Sequence, residues 1–161
     1  MDKFISRLPA LAGEQKGEIV DCNDKTQAYH LALSEKDAEM LIATKNEVLR
    51  KNSRVEFGGS VISKLILGFY DSPYISQHNY VETIDDLIET FYYYKNETLD
   101  EISDDDLIQL MRELFDKRCY GSIELLQNRE LGRISHNVKY GIWDFDKVQA
   151  LEPGEEDEDY E

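Results

Sequence analysis

Three groups of residues in this chain have the types and spacing to do chemistry. Glu56, Gly58, Gly59, Asp71, Tyr74 and His78 could line a ligand pocket. There a carboxylate and an imidazole would supply acid–base or metal-binding groups. The Gly58-Gly59 turn opens onto a helix with Lys64 one turn on, an arrangement whose backbone N–H groups could hold an anion. The second group is Glu82, Asp86, Glu89, Tyr93 and Glu97, which fall on one side when a helix is projected at about 100° per residue. They make an acidic face carrying one ring, a composition suited to a basic protein partner. The third is Lys45 and Lys95, each projecting into an apolar stripe. A lysine there must snorkel, pair with a carboxylate, or lose its proton easily enough to act as a base. Lys95, near a helix end, is placed to snorkel; Lys45, mid-helix, is not.

Each group has a plainer account. A Gly-Gly pair permits a tight turn between helices without binding anything. Asp71 and Ser72 can end one helix, Ser76 can cap the next, and His78 then lies in its first turn, where the dipole disfavours a charged imidazole. Tyr92 and Tyr94 project to the two edges of the apolar stripe, over the core with hydroxyls in water, and Tyr93 to the opposite face. The glycine pair lacks the G-x-x-x-x-G-K-[ST] of a P-loop. No serine sits in a G-x-S-x-G elbow. His30, His78 and His136 lack metal-ligand spacing. No catalytic residue, metal ligand or cofactor is therefore assigned.

The elements that must position these residues are helices. Nine of the 17 aromatic residues lie between Phe57 and Lys95, so the core or the binding face is concentrated there. Ser34, with Asp37 three residues on, caps a helix from Glu35 to Lys51 whose stripe is Ala38, Leu41, Ile42, Val48 and Leu49. Residues Ser60 to Phe69 are apolar on almost every side, which predicts a central buried helix stopped by Pro73. Ser76 caps a helix from Gln77 to Leu99, and Ser103 caps another that Gly121 ends. Ser122 opens a last helical region, with a break or kink at Gly132. Residues 1–16 read as a short N-terminal helix or arm interrupted at Pro9, and Ile142, Trp143 and Phe145 as an apolar clip. The alternation of Tyr29, Leu31 and Leu33, after an Asn23-Asp24 turn, suggests a small β-hairpin within residues 18–33. The fold class is thus mainly α: four to six helices around the Ser60–Phe69 helix, with room for that hairpin. The expected organisation is one domain over residues 1–150 and a disordered acidic tail over 151–161.

Composition narrows the partners. The 161 residues carry 34 acids and 18 bases, a net charge of −16. Glu152 to Glu161 holds seven of the acids, and without it 27 acids against 18 bases still leave −9. Nucleic acids and anionic membranes select a basic footprint, so neither is an expected partner. No stretch approaches the roughly 20 apolar residues of a membrane span, and Arg7 and Pro9 break the only early apolar run. Cys22 and Cys119 are far apart and suit reduced thiols in the cytoplasm.

Four segments carry a resemblance: Arg54-Val55-Glu56-Phe57-Gly58-Gly59, Asp71-Ser72-Pro73-Tyr74-Ile75-Ser76, Phe91-Tyr92-Tyr93-Tyr94-Lys95-Asn96-Glu97 and Ile102-Ser103-Asp104-Asp105. Together they resemble a family of small bacterial proteins of unknown function, over roughly residues 28–140. The resemblance implies a cytoplasmic protein and brings no catalytic or ligand residue with it. Three functions remain open at this level. One is a non-enzymatic interaction protein using the Glu82–Glu97 face. Another is a small enzyme or ligand-binding domain using the Glu56–His78 residues. The third is an acidic surface that mimics nucleic acid and blocks a DNA-binding protein.

Overall fold

A computed structural model describes residues 13–56 and 61–139. The Gly58-Gly59 turn, most of the N-terminal arm, the Ile142–Phe145 clip and the acidic tail lie outside the described residues. The structure is helical, with no strand among the described residues. Helix α1 covers 13–21, and α2 (Asn23–Thr26) runs into a 3-10 turn at Gln27–Tyr29. Helix α3 is Glu35–Lys51, α4 is Val61–Phe69, α5 is Tyr80–Glu97 and α6 is Asp104–Lys117. A short α7 (Ile123–Leu125) continues through a π-helical segment, Leu126–Glu130, into α8 (Leu131–Lys139). Two compact units divide within α5, one ending at Tyr92 and the other beginning at Tyr93.

In the first unit, α3 has the bounds its cap and stripe predict. The Asp37 amide donates to Ser34 Oγ and the Ser34 amide to Asp37 Oδ2, both at 3.0 Å, a complete capping box. Ala38, Leu41, Ile42, Val48 and Leu49 are buried with Lys45 among them. Helix α4 buries Val61, Ile62, Leu65, Ile66 and Phe69, but Leu67 is 43% exposed, so one side of it meets solvent. Helix α5 starts at Tyr80 rather than after Ser76. The Asn79 side chain accepts from the Ser76 amide and donates to Tyr74 O, closing a turn over the residues that a Ser76 cap would have made helical. The Thr83 amide then bonds Asn79 O as the first turn of the helix.

The hairpin expected within residues 18–33 is corrected: these residues are α1, α2 and the 3-10 turn. The alternation of Tyr29, Leu31 and Leu33 holds only at its end, because Tyr29 is exposed in the 3-10 turn. Leu31 and Leu33 are buried, Ala32 is exposed, and residues 31–34 belong to no helix, with Ser34 extended. The backbone partners here are side-chain amides rather than a second strand. Asn23 accepts from the Leu33 amide and donates to Leu33 O, both at 2.8 Å. Gln77 does the same for Ala32 at 2.9 and 3.1 Å.

In the second unit, Ser103 accepts from the Asp106 amide at 3.2 Å and caps α6, which buries Leu107, Ile108, Leu110, Met111, Leu114 and Phe115. After α6, Tyr120 and Gly121 both take positive φ, and the Gly121 amide reaches back to Phe115 O at 2.9 Å. That left-handed step is where a glycine is wanted. The irregularity expected at Gly132 lies just upstream, where the Leu131 amide bonds Leu126 O five residues back. Gly132 itself is ordinary helix in α8.

Candidate functional site

Glu56 is turned inward. Its Oε1 accepts from the Tyr92 hydroxyl at 2.7 Å, and its Oε2 lies 3.9 Å from Arg54 Nε. The Arg54 guanidinium sits 5.9 Å from the centroid of the Tyr92 ring. These contacts join the Arg54-Val55-Glu56 segment to the Phe91–Glu97 segment of the sequence resemblance. Tyr92 is therefore buried, hydroxyl included, and not a stripe-edge residue with its hydroxyl in water. Tyr94 is corrected in the same way: it is buried and its hydroxyl donates to Gln127 O. Burial pushes the Tyr94 hydroxyl up to about 12, with Tyr93 and Glu97 acting in the same direction. Asp71, Tyr74 and His78 stand exposed on the connection between α4 and α5, while Gly58 and Gly59 lie outside the described residues. Because α5 begins only at Tyr80, His78 belongs to the turn and not to a first helical turn.

Helix α5 carries the second group. Glu82, Asp86 and Glu89 are exposed, Tyr93 is 56% exposed and Glu97 is half-buried. No ion pair involves Glu82, Asp85, Asp86 or Glu89 among the described residues. Partial desolvation pushes the Asp86 carboxyl above the usual range, and the charges of Asp85, Glu89 and Glu82 push it further. Four carboxylates thus crowd along one helix to their mutual disadvantage. Tyr93 packs edge-on against Tyr94 at 4.9 Å between centroids, which holds the exposed ring in place.

Of the two lysines, Lys95 departs from its sequence expectation. Lys95 does not snorkel. Its ammonium is enclosed by the α5–α6 connection, donating to Ile102 O at 2.7 Å and meeting Asp104 Oδ1 at 2.8 Å and Asp100 Oδ1 at 3.9 Å. Lys45 is buried in the α3 stripe as the projection placed it.

A charged cluster in the second unit was not anticipated. Arg118 and Glu130 are both buried, with Nε and Oε1 3.3 Å apart. Glu130 Oε2 is 3.4 Å from Arg129 Nε and 3.9 Å from Arg133 Nη1. Arg129 is anchored by a 2.8 Å hydrogen bond from Nη2 to Arg118 O. The neighbouring Cys119 thiol is pushed up to about 12, first by burial and then by Glu130, against the lowering effect of Arg129 and Arg118. The signal was present in the spacing. Arg118 continues the Met111 and Leu114 positions of α6, and Glu130 falls midway between Leu126 and Ile134, so both charges occupy apolar-stripe positions.

Among the described residues no group of three or more His, Cys, Asp or Glu could hold a metal ion, and no helix is long and apolar enough to cross a membrane. The fold and these contacts define an all-helical class of protein with an acidic helix face and a buried arginine–glutamate core. The chain belongs to the DUF6323 family, a family of unknown function whose profile matches residues 18–144. No curated protein and no solved structure matches it significantly.

Proposed function

We propose that this protein is a non-enzymatic protein–protein interaction module, and that the Glu82–Asp86–Glu89–Tyr93 face of α5 is its contact for a basic segment of another protein. The observation that carries this reading is the exposed row of Glu82, Asp86 and Glu89, which has no ion pair among the described residues and in which partial desolvation and then the neighbouring charges push the Asp86 carboxyl up. Like charges held together on a rigid helix cost stability in the free protein, and a partner's lysines or arginines relieve that cost on binding. The exposed Tyr93 supplies a ring anchored on one side and open on the other, a residue type enriched at interface hot spots. The free thiols of Cys22 and Cys119 suit a reducing compartment, so the partner is sought in the cytoplasm.

The test is affinity capture from native lysate with wild type, the Glu82→Lys/Asp86→Lys/Glu89→Lys variant and Tyr93→Ala, each checked for helicity by circular dichroism. The expected result is a partner with a basic segment that is retained by wild type, released by moderate salt and lost by the charge-reversed variant. A partner bound equally by all three proteins, or the recovery of none, refutes the proposal.

A further inference from the structure

We infer that Tyr80, Ser63, Thr26 and Cys22 enclose a buried binding site for a single water molecule, which links α2 to helices α4 and α5. This inference does not depend on the acidic face of α5.

Tyr80 is fully buried at the start of α5, and among the described residues its hydroxyl has no hydrogen-bond partner. The Ser63 hydroxyl oxygen, in α4, is also buried and unpartnered among the described residues. Folded proteins rarely leave a buried hydroxyl unmet, because nothing then replaces its lost hydration. Beside these two lie two groups that have already spent their protons. Thr26 is fully buried at the end of α2 and donates from Oγ1 to Leu31 O at 2.9 Å. Cys22 is buried just before α2 and donates from Sγ to Glu18 O at 3.4 Å. The four groups influence one another. Burial pushes the Tyr80 hydroxyl up to about 12, the Thr26 side chain opposes the rise and Cys22 adds to it. Burial likewise pushes the Cys22 thiol up, with the Ser63 side chain opposing. Tyr80 therefore faces Thr26 and Cys22, and Ser63 faces Cys22, yet neither hydroxyl closes these approaches as a direct hydrogen bond.

The balance of donors and acceptors selects the ligand. Tyr80 and Ser63 each offer an unspent O–H, whereas Thr26 and Cys22 have only lone pairs left to offer. Two donors and two acceptors match the two lone pairs and two hydrogens of water. A metal ion or an ammonium group would leave the Tyr80 and Ser63 protons unmet. An oxyanion would set its charge against the lone pairs of Thr26 and Cys22. Buried waters make about three hydrogen bonds to polar groups of this kind and are a lasting part of the structure. Because the four groups come from α2, α4 and α5, the bound molecule joins three elements at once.

The experiment has two arms, both on the full chain. The first is a crystal structure at a resolution that shows ordered solvent. The expected result is one solvent peak within about 3.5 Å of Tyr80 Oη, Ser63 Oγ and Thr26 Oγ1. The second arm is thermal melting of wild type, Tyr80→Phe, Ser63→Ala and the double variant. Each single variant takes one donor from the bound water and should lower the melting temperature by roughly 2–4 °C. The double variant should lose less than the sum, because the first removal already weakens the shared molecule. A hydroxyl that is merely unsatisfied behaves oppositely, and its removal raises the melting temperature. The inference is overturned by a rise in either single variant, by losses that add, or by a crystal structure with no solvent peak at this position. It is equally overturned if Tyr80 Oη is found bonded directly to a protein group.

Discussion

Replacing Lys95 with methionine keeps an unbranched stem in the same space and removes only the ammonium. Three contacts go with it: Ile102 O at 2.7 Å, Asp104 Oδ1 at 2.8 Å and Asp100 Oδ1 at 3.9 Å. The two carboxylates are 38% and 53% exposed, so water re-solvates them and the ion pairs contribute only about 1 kcal/mol. Ile102 is buried, and leaving its carbonyl without this donor costs about 1–3 kcal/mol. The substitution should therefore destabilise by about 2–4 kcal/mol. The same ammonium closes a connection in which Leu99 and Asp100 both have positive φ, at 56° and 58°, so its loss also frees a strained turn. Asp104→Asn should cost about 1 kcal/mol, part of it from losing a carboxylate in the first turn of α6. Urea unfolding followed by circular dichroism on wild type, both single variants and the double variant yields the coupling, expected at about 1 kcal/mol. A Lys95→Met protein within about 0.5 kcal/mol of wild type, or a coupling near zero, refutes the view that this ammonium organises the connection.

Gly17 and Gly132 sit in helices with room for a methyl group: among the described residues a Cβ at Gly17 meets nothing within 4 Å and one at Gly132 meets only Tyr94 Oη, at 3.9 Å. Gly17→Ala and Gly132→Ala should each raise stability by about 0.5–1 kcal/mol in urea titration. Asn23→Ala removes both side-chain bonds to Leu33 and should cost about 2 kcal/mol in the same assay. At alkaline pH the buried thiol and phenols act together. Cys119, Tyr80 and Tyr94 are pushed from 9.0, 10.0 and 10.0 to about 12, with burial the largest cause for each. The folded state then holds more protons than the unfolded one between 9.0 and about 12, so stability is fully present below that window and lost as pH rises through it. Melting temperatures measured from pH 8 upward should fall accordingly, and a flat profile would contradict the burial of these groups. Asp86 has the same sign at lower pH: its raised carboxyl weakens the fold once ionised, so Asp86→Asn should stabilise at neutral pH and not in strong acid.

Much of the fold was legible because caps and stripes agreed. Ser34, Asp37 and the Ala38–Leu49 stripe set α3 to the residue, and Ser103 and Ser122 open α6 and α7 as placed. Ser76 misled because an asparagine three residues on competes for the same backbone and closes a turn instead. The period-two pattern of Tyr29, Leu31 and Leu33 misled as a hairpin signal, because Tyr29 is exposed in a 3-10 turn and pattern cannot say whether the facing hydrogen-bond groups belong to a strand or to side chains. Helical projection put Tyr93 on the exposed side of α5. It put Tyr92 and Tyr94 at the water's edge because a single helix cannot report what covers its flanks. Glu56 and Gln127, far away in sequence, are what receive the two hydroxyls. Arg118 and Glu130 were overlooked for a related reason: each is an isolated charge in a stripe, and their pairing appears only when two helices meet.

The non-helical segment at residues 31–34 has its backbone hydrogen-bond groups met by side chains. Uncovered backbone in an extended conformation is a template on which another chain can add as a strand. At Ala32 and Leu33 both the donor and the acceptor are already occupied by the amides of Gln77 and Asn23. The chain is sealed along both sides without a neighbouring strand, so it presents no open edge. Gln77 and Asn23 thus occupy the backbone groups that a pairing strand would need, and Gln77→Leu would leave one side of the segment open to such pairing.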